Sequence, residues 1–203
     1  MTGAASAITI RPEQSGDEDV IFALTEAAFR NMPFSDGSEP TIVKRLRDDG
    51  DLTLSLVASL VAENTGKIVG HIAMSPVTIN GGPSDQSRKN WYGLGPVSVW
   101  PDLQGQGIGS ALINQAIADM RQLGAKGIIL LGSPEYYSRF GFKHEPKLTY
   151  PGPPAEYFQT LLLEGELPSG VVSYARGFGY SLTHIQLLNP RGQAVAFHDH
   201  AAV

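Results

Sequence analysis

A glycine-rich turn between an apolar segment and an amphipathic helix is the feature that most constrains this chain. The turn, Gln104 to Ser110, follows the apolar segment from Trp91 to Val99. The predicted helix after it carries apolar residues at i, i+3 and i+4, as a helix packed on a sheet does: Leu112, Ile113, Ala116, Ile117, Met120 and Leu123. Gly124 ends this helix, and the short apolar run Gly127 to Leu131 favours a buried strand parallel to the first.

Alternating glycines at the start of a helix predict a phosphate-binding turn. Glycine leaves room for a ligand to approach the backbone, and the amides and dipole of a helix N-terminus favour an anion. A tight turn without any ligand is the alternative. A nucleoside triphosphate loop would require a lysine after the glycines, but Ser110 and Ala111 follow Gly109. A dinucleotide fold would require a glycine at position 110 and a carboxylate after the next strand, where Leu131-Gly132-Ser133 stands.

The segment Val97 to Gly109 resembles the acetyl-CoA site of the GCN5-related N-acetyltransferase (GNAT) superfamily. The family signature, Gln/Arg-x-x-Gly-x-Gly/Ala, is matched by Gln104, Gly107 and Gly109. Downstream, Tyr136 to Phe142 resembles the family's Tyr-x-x-x-Gly-Phe element, and the run that begins at Leu131 is similar to the YhbS-like branch. The two motifs are separated by one helix and one strand, as in that family.

This resemblance implies an α/β fold with a mixed sheet, the GNAT acyl-CoA N-acyltransferase fold. The sheet is expected to be mostly antiparallel, with a central parallel pair of strands splayed at a bulge and helices on both faces. Glycines 93 and 95 and Pro96 predict where the bulge lies. We expect residues 1–178 to form the GNAT domain and residues 179–203 to form a C-terminal extension, either an added hairpin or a tail.

Other elements follow from periodicity and from turn residues. Residues 7–11 predict a first strand, and helices are expected near 17–28 and 39–47. Two further strands are expected at 52–62 and 68–79, the second one interrupted or bent at Pro76. After Phe142, residues 156–163 and 171–174 are expected to form a hairpin such as the YhbS-like proteins have.

The resemblance also implies a function, which is transfer of the acetyl group of acetyl-CoA to a primary amine. Backbone groups of the strand at Val97 and Val99 would hold the pantetheine arm, and amides of the turn would hold the pyrophosphate. Tyr137 is the expected general acid, since a phenol with a pKa of about 10 can protonate a departing thiolate. Tyr136 is the rival, and ring packing with Phe140 and Phe142 is the structural alternative for Tyr137. The residues expected to bind the cofactor are Val97, Ser98, Val99, Gln104, Gly105, Gln106, Gly107, Ile108, Gly109, Ser110, Ser133, Tyr137 and Arg139.

The sequence leaves the general base open. Glu39 at the start of the second predicted helix, His71 on a predicted strand and a relay of water are the three candidates. The triplet His198-Asp199-His200 resembles a metal-binding motif, but it stands in a terminal segment without further ligands, so we expect no metal.

Composition restricts the partners and the chemistry. A net charge of -5 argues against nucleic acid, and a chain without cysteine forms no disulfide, thiolate metal site or cysteinyl acyl-enzyme. We find neither an apolar run of membrane-spanning length nor a signal peptide, so we expect a cytoplasmic protein that does not bind membranes. The expected partner is a small-molecule or peptide amine, and a homodimer is left open. Use of another acyl-CoA, or a non-catalytic CoA-binding sensor module, are the alternative functions.

Overall fold

The structure, a computed structural model, describes residues 8–32, 35–60, 67–81, 88–179 and 201–202. The strands are β1 Ile8–Pro12, β2 Leu54–Leu60, β3 Ile68–Asn80, β4 Trp91–Val99, β5 Gly127–Leu131, β6 Leu148–Thr149, β7 Phe158–Leu162, β8 Gly170–Tyr174 and β9 Ala201–Ala202. The α-helices are α1 Glu18–Phe29, α2 Glu39–Asp48, α3 Ile108–Gln122 and α4 Pro134–Tyr137. Single 3-10 turns cover Pro101–Leu103, Ser138–Phe140, Ala155–Tyr157 and Arg176–Phe178.

The sheet has the order β1-β2-β3-β4-β5-β7. Neighbours along this path are antiparallel except β4 and β5, which are parallel. Helix α3 covers one face, where a Cβ added to Gly70 would lie 2.9 Å from Cγ2 of Ile108. Helix α1 covers the other face, where the hydroxyl of Ser98 on β4 donates to that of Thr25 across 3.2 Å. The predicted fold is thus confirmed, with its parallel pair and helices on both faces.

Strand β3 runs without interruption through Pro76, so of the two predicted alternatives, an interruption or a bend, the interruption was wrong. Pro76 is the last residue of β3 that pairs with β4, and from Val77 to Asn80 the strand pairs with β8 instead. Proline has no N–H to donate to a neighbouring strand. It stands at the point where β3 leaves one neighbour and gains another, so the strand tolerates it.

The predicted hairpin after Phe142 was also wrong. Strand β7 pairs with β5, where Leu131 faces Phe158, whereas β8 pairs with the far end of β3 and with β6. Phe158 and Val172 both join a core cluster with Trp91 and Ile129, but they reach it from different neighbouring strands.

A bulge in β4 separates the two strands of the parallel pair. Val97 faces Ile72 and Leu94 faces Met74, so two residues of β4, Gly95 and Pro96, stand opposite the single residue Ala73. Pairing between β4 and β5 stops at Gly93. The predicted bulge and splay are confirmed, and they expose the backbone edge of β4 beyond Gly93.

Two residues near the C-terminus pair with that edge. Ala201 and Ala202 form β9, which pairs in parallel with Val97 and Ser98. The rest of the predicted extension, with its expected strands and the histidine triplet at 198–200, lies outside the described residues. Among the helices that are described, none has the length and hydropathy needed to cross a membrane.

Candidate active site

The N-terminus of α3 presents backbone amides at the glycine-rich turn. Gly107 precedes the helix with φ of +84°, a conformation that side chains other than glycine rarely adopt. The first bond within the helix joins the amide of Ala111 to the carbonyl of Gly107 at 3.0 Å. The amides of Ile108, Gly109 and Ser110 therefore have no acceptor within the helix, and the helix dipole makes this end attractive to an anion.

Hydrogen bonds fix the turn relative to the end of β4. Nε2 of Gln104 donates to the carbonyl oxygen of Val99 across 3.2 Å. The indole Nε1 of Trp100 donates to the carbonyl of Ile68 at 3.0 Å, and the amide of Leu103 donates to the carbonyl of Trp100 at 2.8 Å. The end of the strand and the start of the helix are therefore held as one unit.

A pocket of about 190 Å³ opens over this unit. Its walls come from the end of β4, the turn, the first residues of α3 and the segment after β5. The lining residues are Val99, Leu103, Gln104, Gly105, Gly107, Ile108, Gly109, Ser110, Tyr136 and Arg139. The guanidinium carbon of Arg139 lies 4.6 Å from the centre of the Tyr136 ring. The arginine cation and the helix dipole both give this pocket positive potential.

Eight of the residues expected to bind the cofactor thus line one pocket, whereas the other five are not among its lining residues. Val97 and Ser98 belong to the buried part of β4, and the Ser98 side chain points to α1. Gln106 is exposed at the turn. Ser133 precedes α4, and its carbonyl accepts bonds from the amides of Tyr136 and Tyr137.

Leu103 and Tyr136 were not among the residues expected to bind the cofactor, but both line the pocket. Leu103 lies inside the segment that resembles the family site, so its position next to Gln104 was a usable signal. Tyr136 entered only as a rival to Tyr137 as the general acid. Its role as the platform for the Arg139 guanidinium depends on the turn between them and could not be seen in the sequence.

Tyr137 is packed against the end of β5 and is only 1% exposed. Its ring centre lies 5.9 Å from that of Phe142 and 6.3 Å from that of Phe140. A Cβ at Gly132 would lie 2.3 Å from Cε2 of Tyr137, so that position requires glycine. The ring packing that was the structural alternative is therefore present, and a rigidly held phenol at this point is also a suitable proton donor.

Glu39 is the first residue of α2 and is buried, with 6% exposure. One oxygen of its carboxylate accepts a hydrogen bond of 2.7 Å from the hydroxyl of Ser35. Burial raises the pKa of this carboxyl, whereas the bond from Ser35 acts in the opposite direction. A carboxylate with a raised pKa is a better proton acceptor than an ordinary one, which suits a general base.

His71 lies in a polar network between the sheet and α2. It is fully buried, and its Nε2 is 2.7 Å from the hydroxyl of Ser55. The same hydroxyl donates to Glu13, which also accepts a 2.8 Å bond from Nε of Arg47. Burial lowers the pKa of His71 to about 3, so the ring is neutral at physiological pH. Such a weakly basic ring is a poor general base, and its contacts indicate a structural role.

The described part of the chain contains no group of three or more histidine, aspartate or glutamate side chains arranged to hold a metal ion.

Comparison with known proteins identifies the family to which this chain belongs. The family model for the acetyltransferase (GNAT) domain matches residues 9–144. The chain is 31% identical over 157 residues to "Uncharacterized N-acetyltransferase YhbS" of Escherichia coli K12, a match that covers 74% of this chain and 89% of that protein.

Two solved structures share the fold. One is a GNAT family acetyltransferase from Brucella melitensis in complex with acetyl-CoA, 44% identical with a TM-score of 0.72, covering 85% of this chain and 99% of the other. The second is Escherichia coli YhbS in complex with CoA, 30% identical with a TM-score of 0.74, covering 89% and 97%. The family model, the identity to YhbS and the shared fold agree, and this chain belongs to the GNAT acetyltransferases as a YhbS-like member.

Proposed function

We propose that this protein transfers the acetyl group of acetyl-CoA directly to a primary amine, without an acyl-enzyme. The observation that carries the proposal is the electropositive pocket at the N-terminus of α3, which lies next to the exposed edge of β4. The relatives support the choice of cofactor, because one solved relative contains acetyl-CoA and another contains CoA.

The pocket offers suitable partners for the pyrophosphate of acetyl-CoA. The amides of Ile108, Gly109 and Ser110 would donate to phosphate oxygens, and Arg139 would add a cation. The pantetheine arm contains amide groups and would run along the edge of β4 at Val97 and Val99. The pairing of Ala201 and Ala202 with Val97 and Ser98 supports this placement, because it uses the same edge of β4. Binding of the arm would displace these two residues.

The transfer itself requires two proton movements. The nitrogen of the acceptor attacks the thioester carbonyl, the C–N bond forms, and the C–S bond then breaks. A backbone amide near Val99 would stabilise the developing oxyanion. Tyr137 would give its proton to the departing thiolate, and Glu39, directly or through water, would take the proton lost by the amine. Direct transfer needs no thiol nucleophile, in agreement with a chain that contains no cysteine.

Calorimetric titration with acetyl-CoA, propionyl-CoA and CoA tests this proposal. We expect tight binding of acetyl-CoA and its loss in Gly107→Gln, because the added side chain would cover the amides of α3. Gly124→Gln is the matched control. Gly124 stands at the other end of the same helix with φ of +74°, and a Cβ at either glycine meets no atom within 4 Å.

Comparing the two glycine variants distinguishes blocking of the α3 amides from the backbone strain that both substitutions cause. Both impose a side chain on a positive-φ residue, which costs about 1 kcal/mol or more of stability. If acetyl-CoA binds wild type and both variants equally, the turn does not hold the cofactor. If wild type prefers propionyl-CoA, the donor is another acyl-CoA. If no CoA derivative binds wild type, the proposed function is wrong.

A further inference from the structure

Three buried hydroxyl groups have no hydrogen-bond partner within the described part of the chain. Two of them carry the argument, Oγ of Ser75 on β3, a residue with 0% exposure, and the phenol oxygen of Tyr174 on β8; the third is Oγ1 of Thr160 on β7. A buried hydroxyl without a partner destabilises a folded protein, since it loses its bonds to water and gains none. Groups of this kind in a native structure require an explanation, and a bound ligand is one.

Both hydroxyl-bearing residues flank Gly93, where β4 parts from β5. Ser75 is the direct partner of Gly93 across the β3–β4 ladder. The ring of Tyr174 covers the same glycine, so closely that a Cβ there would lie 2.7 Å from Cε1 of Tyr174. Gly93 is also the last residue of β4 that pairs with β5. Ser75 and the ring of Tyr174 therefore both lie at the residue of β4 where the sheet opens.

These groups lie on the face of the sheet opposite α3. Side chains alternate along β3, so Ser75 shares a face with His71, which is paired with Ser98. Ser98 points to Thr25 of α1. The phosphate-binding end of α3 is on the other face. A donor held at α3 and a second substrate held at Ser75 and Tyr174 would thus meet from opposite sides of the opening.

We propose that the hydroxyls of Ser75 and Tyr174 bind the amino group of the acceptor and orient it towards the thioester. This inference rests on the proposed function and assigns the acceptor half of its site. Both hydroxyls can accept an N–H bond from the amine while remaining uncharged. Burial raises the pKa of Tyr174 well above its ordinary value, so this phenol stays protonated.

The surroundings of Tyr174 favour an acceptor with an aromatic group. The ring of Phe178 lies 5.0 Å from that of Tyr174, centre to centre. Aromatic faces and neutral hydroxyls suit an amine carried on an aryl-alkyl group. Neither an aromatic face nor a neutral hydroxyl carries a charge that would pair with the further amino groups of a polyamine. The proposed class is therefore an arylalkylamine, and 2-phenylethylamine is the probe.

Kinetics with 2-phenylethylamine test the assignment in Tyr174→Phe and Ser75→Ala. We expect the KM for the amine to rise about tenfold in each variant while kcat changes little, because the lost bond holds both the bound amine and the transition state. Acetyl-CoA affinity, measured by calorimetry, should stay at the wild-type value. The thermal midpoint should stay the same or rise, because each change removes a buried hydroxyl that has no partner in the free protein.

Tyr150→Phe is the matched control. Its ring meets that of Tyr174 edge-on at 5.2 Å and stacks on Phe158, so this variant removes a phenol oxygen from the same aromatic group. We expect its KM for 2-phenylethylamine to match that of the wild type.

Three results would overturn the proposal. They are an equal change of KM in Tyr150→Phe and Tyr174→Phe, a preference of the wild type for spermidine, and the absence of any acetylation of 2-phenylethylamine. If acetyl-CoA binds in the calorimeter but the amine results fail, only the acceptor assignment falls. If acetyl-CoA does not bind, the proposed function falls as well.

Discussion

Nε2 of Gln104 donates to the carbonyl oxygen of Val99 across 3.2 Å, and this bond joins the glycine-rich turn to the last residue of β4. The two residues belong to the two halves of the proposed cofactor site. Val99 stands on the strand that would hold the pantetheine arm, and Gln104 begins the turn that would hold the pyrophosphate. The bond therefore sets the distance between the two halves.

Gln104→Leu should weaken acetyl-CoA binding without preventing folding. A bond of this kind contributes about 1 kcal/mol, which corresponds to about a fivefold increase in Kd measured by calorimetry. Gln106→Leu is the control, since Gln106 is exposed and its Nε2 only approaches the carbonyl of Asp102, at 3.5 Å. Equal affinities in the two variants would show that the Gln104–Val99 bond does not shape the site.

Tyr137→Phe should lower kcat about a hundredfold and leave acetyl-CoA affinity nearly unchanged, because it removes a general acid but keeps the ring packing. Tyr136→Phe is the comparison, as Tyr136 lines the pocket beside the buried Tyr137. CoA release can be followed with a thiol reagent, since the protein contributes no cysteine. A large loss of kcat in Tyr136→Phe with none in Tyr137→Phe would make the rival tyrosine the acid.

Glu39→Gln should lower kcat about a hundredfold if the carboxylate is the general base. Only the ionised form accepts a proton, so wild-type activity should fall as the pH drops below the raised pKa of Glu39. Ser35→Ala removes a hydrogen bond that lowers this pKa, and the acidic limb of the pH profile should then move to higher pH.

Ser38→Ala is the control for the Ser35 experiment, because Ser38 precedes α2 without any side-chain capping bond. If the acidic limb lies at the same pH in wild type and Ser35→Ala, the group that titrates in the pH profile is not Glu39. The base would then be a relay of water or another group.

His71 should make stability depend on pH. Its pKa is about 3 when folded and about 6.5 when unfolded, so the unfolded state takes up the proton first as the pH falls. The contribution is fully present above about pH 6.5 and is lost towards pH 3, by at most about 1.4 kcal/mol per pH unit. Urea unfolding at pH 7, 6 and 5 should show a smaller loss of stability in His71→Asn than in wild type.

Nearby charged residues do not account for a difference in pH dependence between wild type and His71→Asn. Glu13, Arg47 and Asp17 lie near His71, but they are present in both proteins and cancel in the difference. Asn can still bond to the hydroxyl of Ser55, so the network is altered little. Parallel pH dependences in the two proteins would contradict the neutral, buried state of His71.

Several parts of the structure could be predicted because they depend on residues close together in the chain. The glycines of the turn, the apolar stripe of α3 and the bulge at Gly95-Pro96 each left a local pattern. Each was found where expected, except that Leu123, predicted as part of the stripe, follows the last residue of α3 and is exposed. Helix α2 begins at Glu39 as predicted, and the resemblance on Gln104, Gly107 and Gly109 pointed to the correct family.

What the sequence determined by itself was therefore the kind of site and the local elements that form it. The tertiary structure decided which strands become neighbours and which side chains are buried. Strand β7 pairs with β5 and not, as predicted, with β8. Tyr136 lines the pocket, whereas Tyr137 does not. Ser75 and Tyr174 are 99 positions apart in the sequence and meet only because both flank Gly93. Strand partners and burial are set by contacts between distant residues, and no pattern within a single segment contains them.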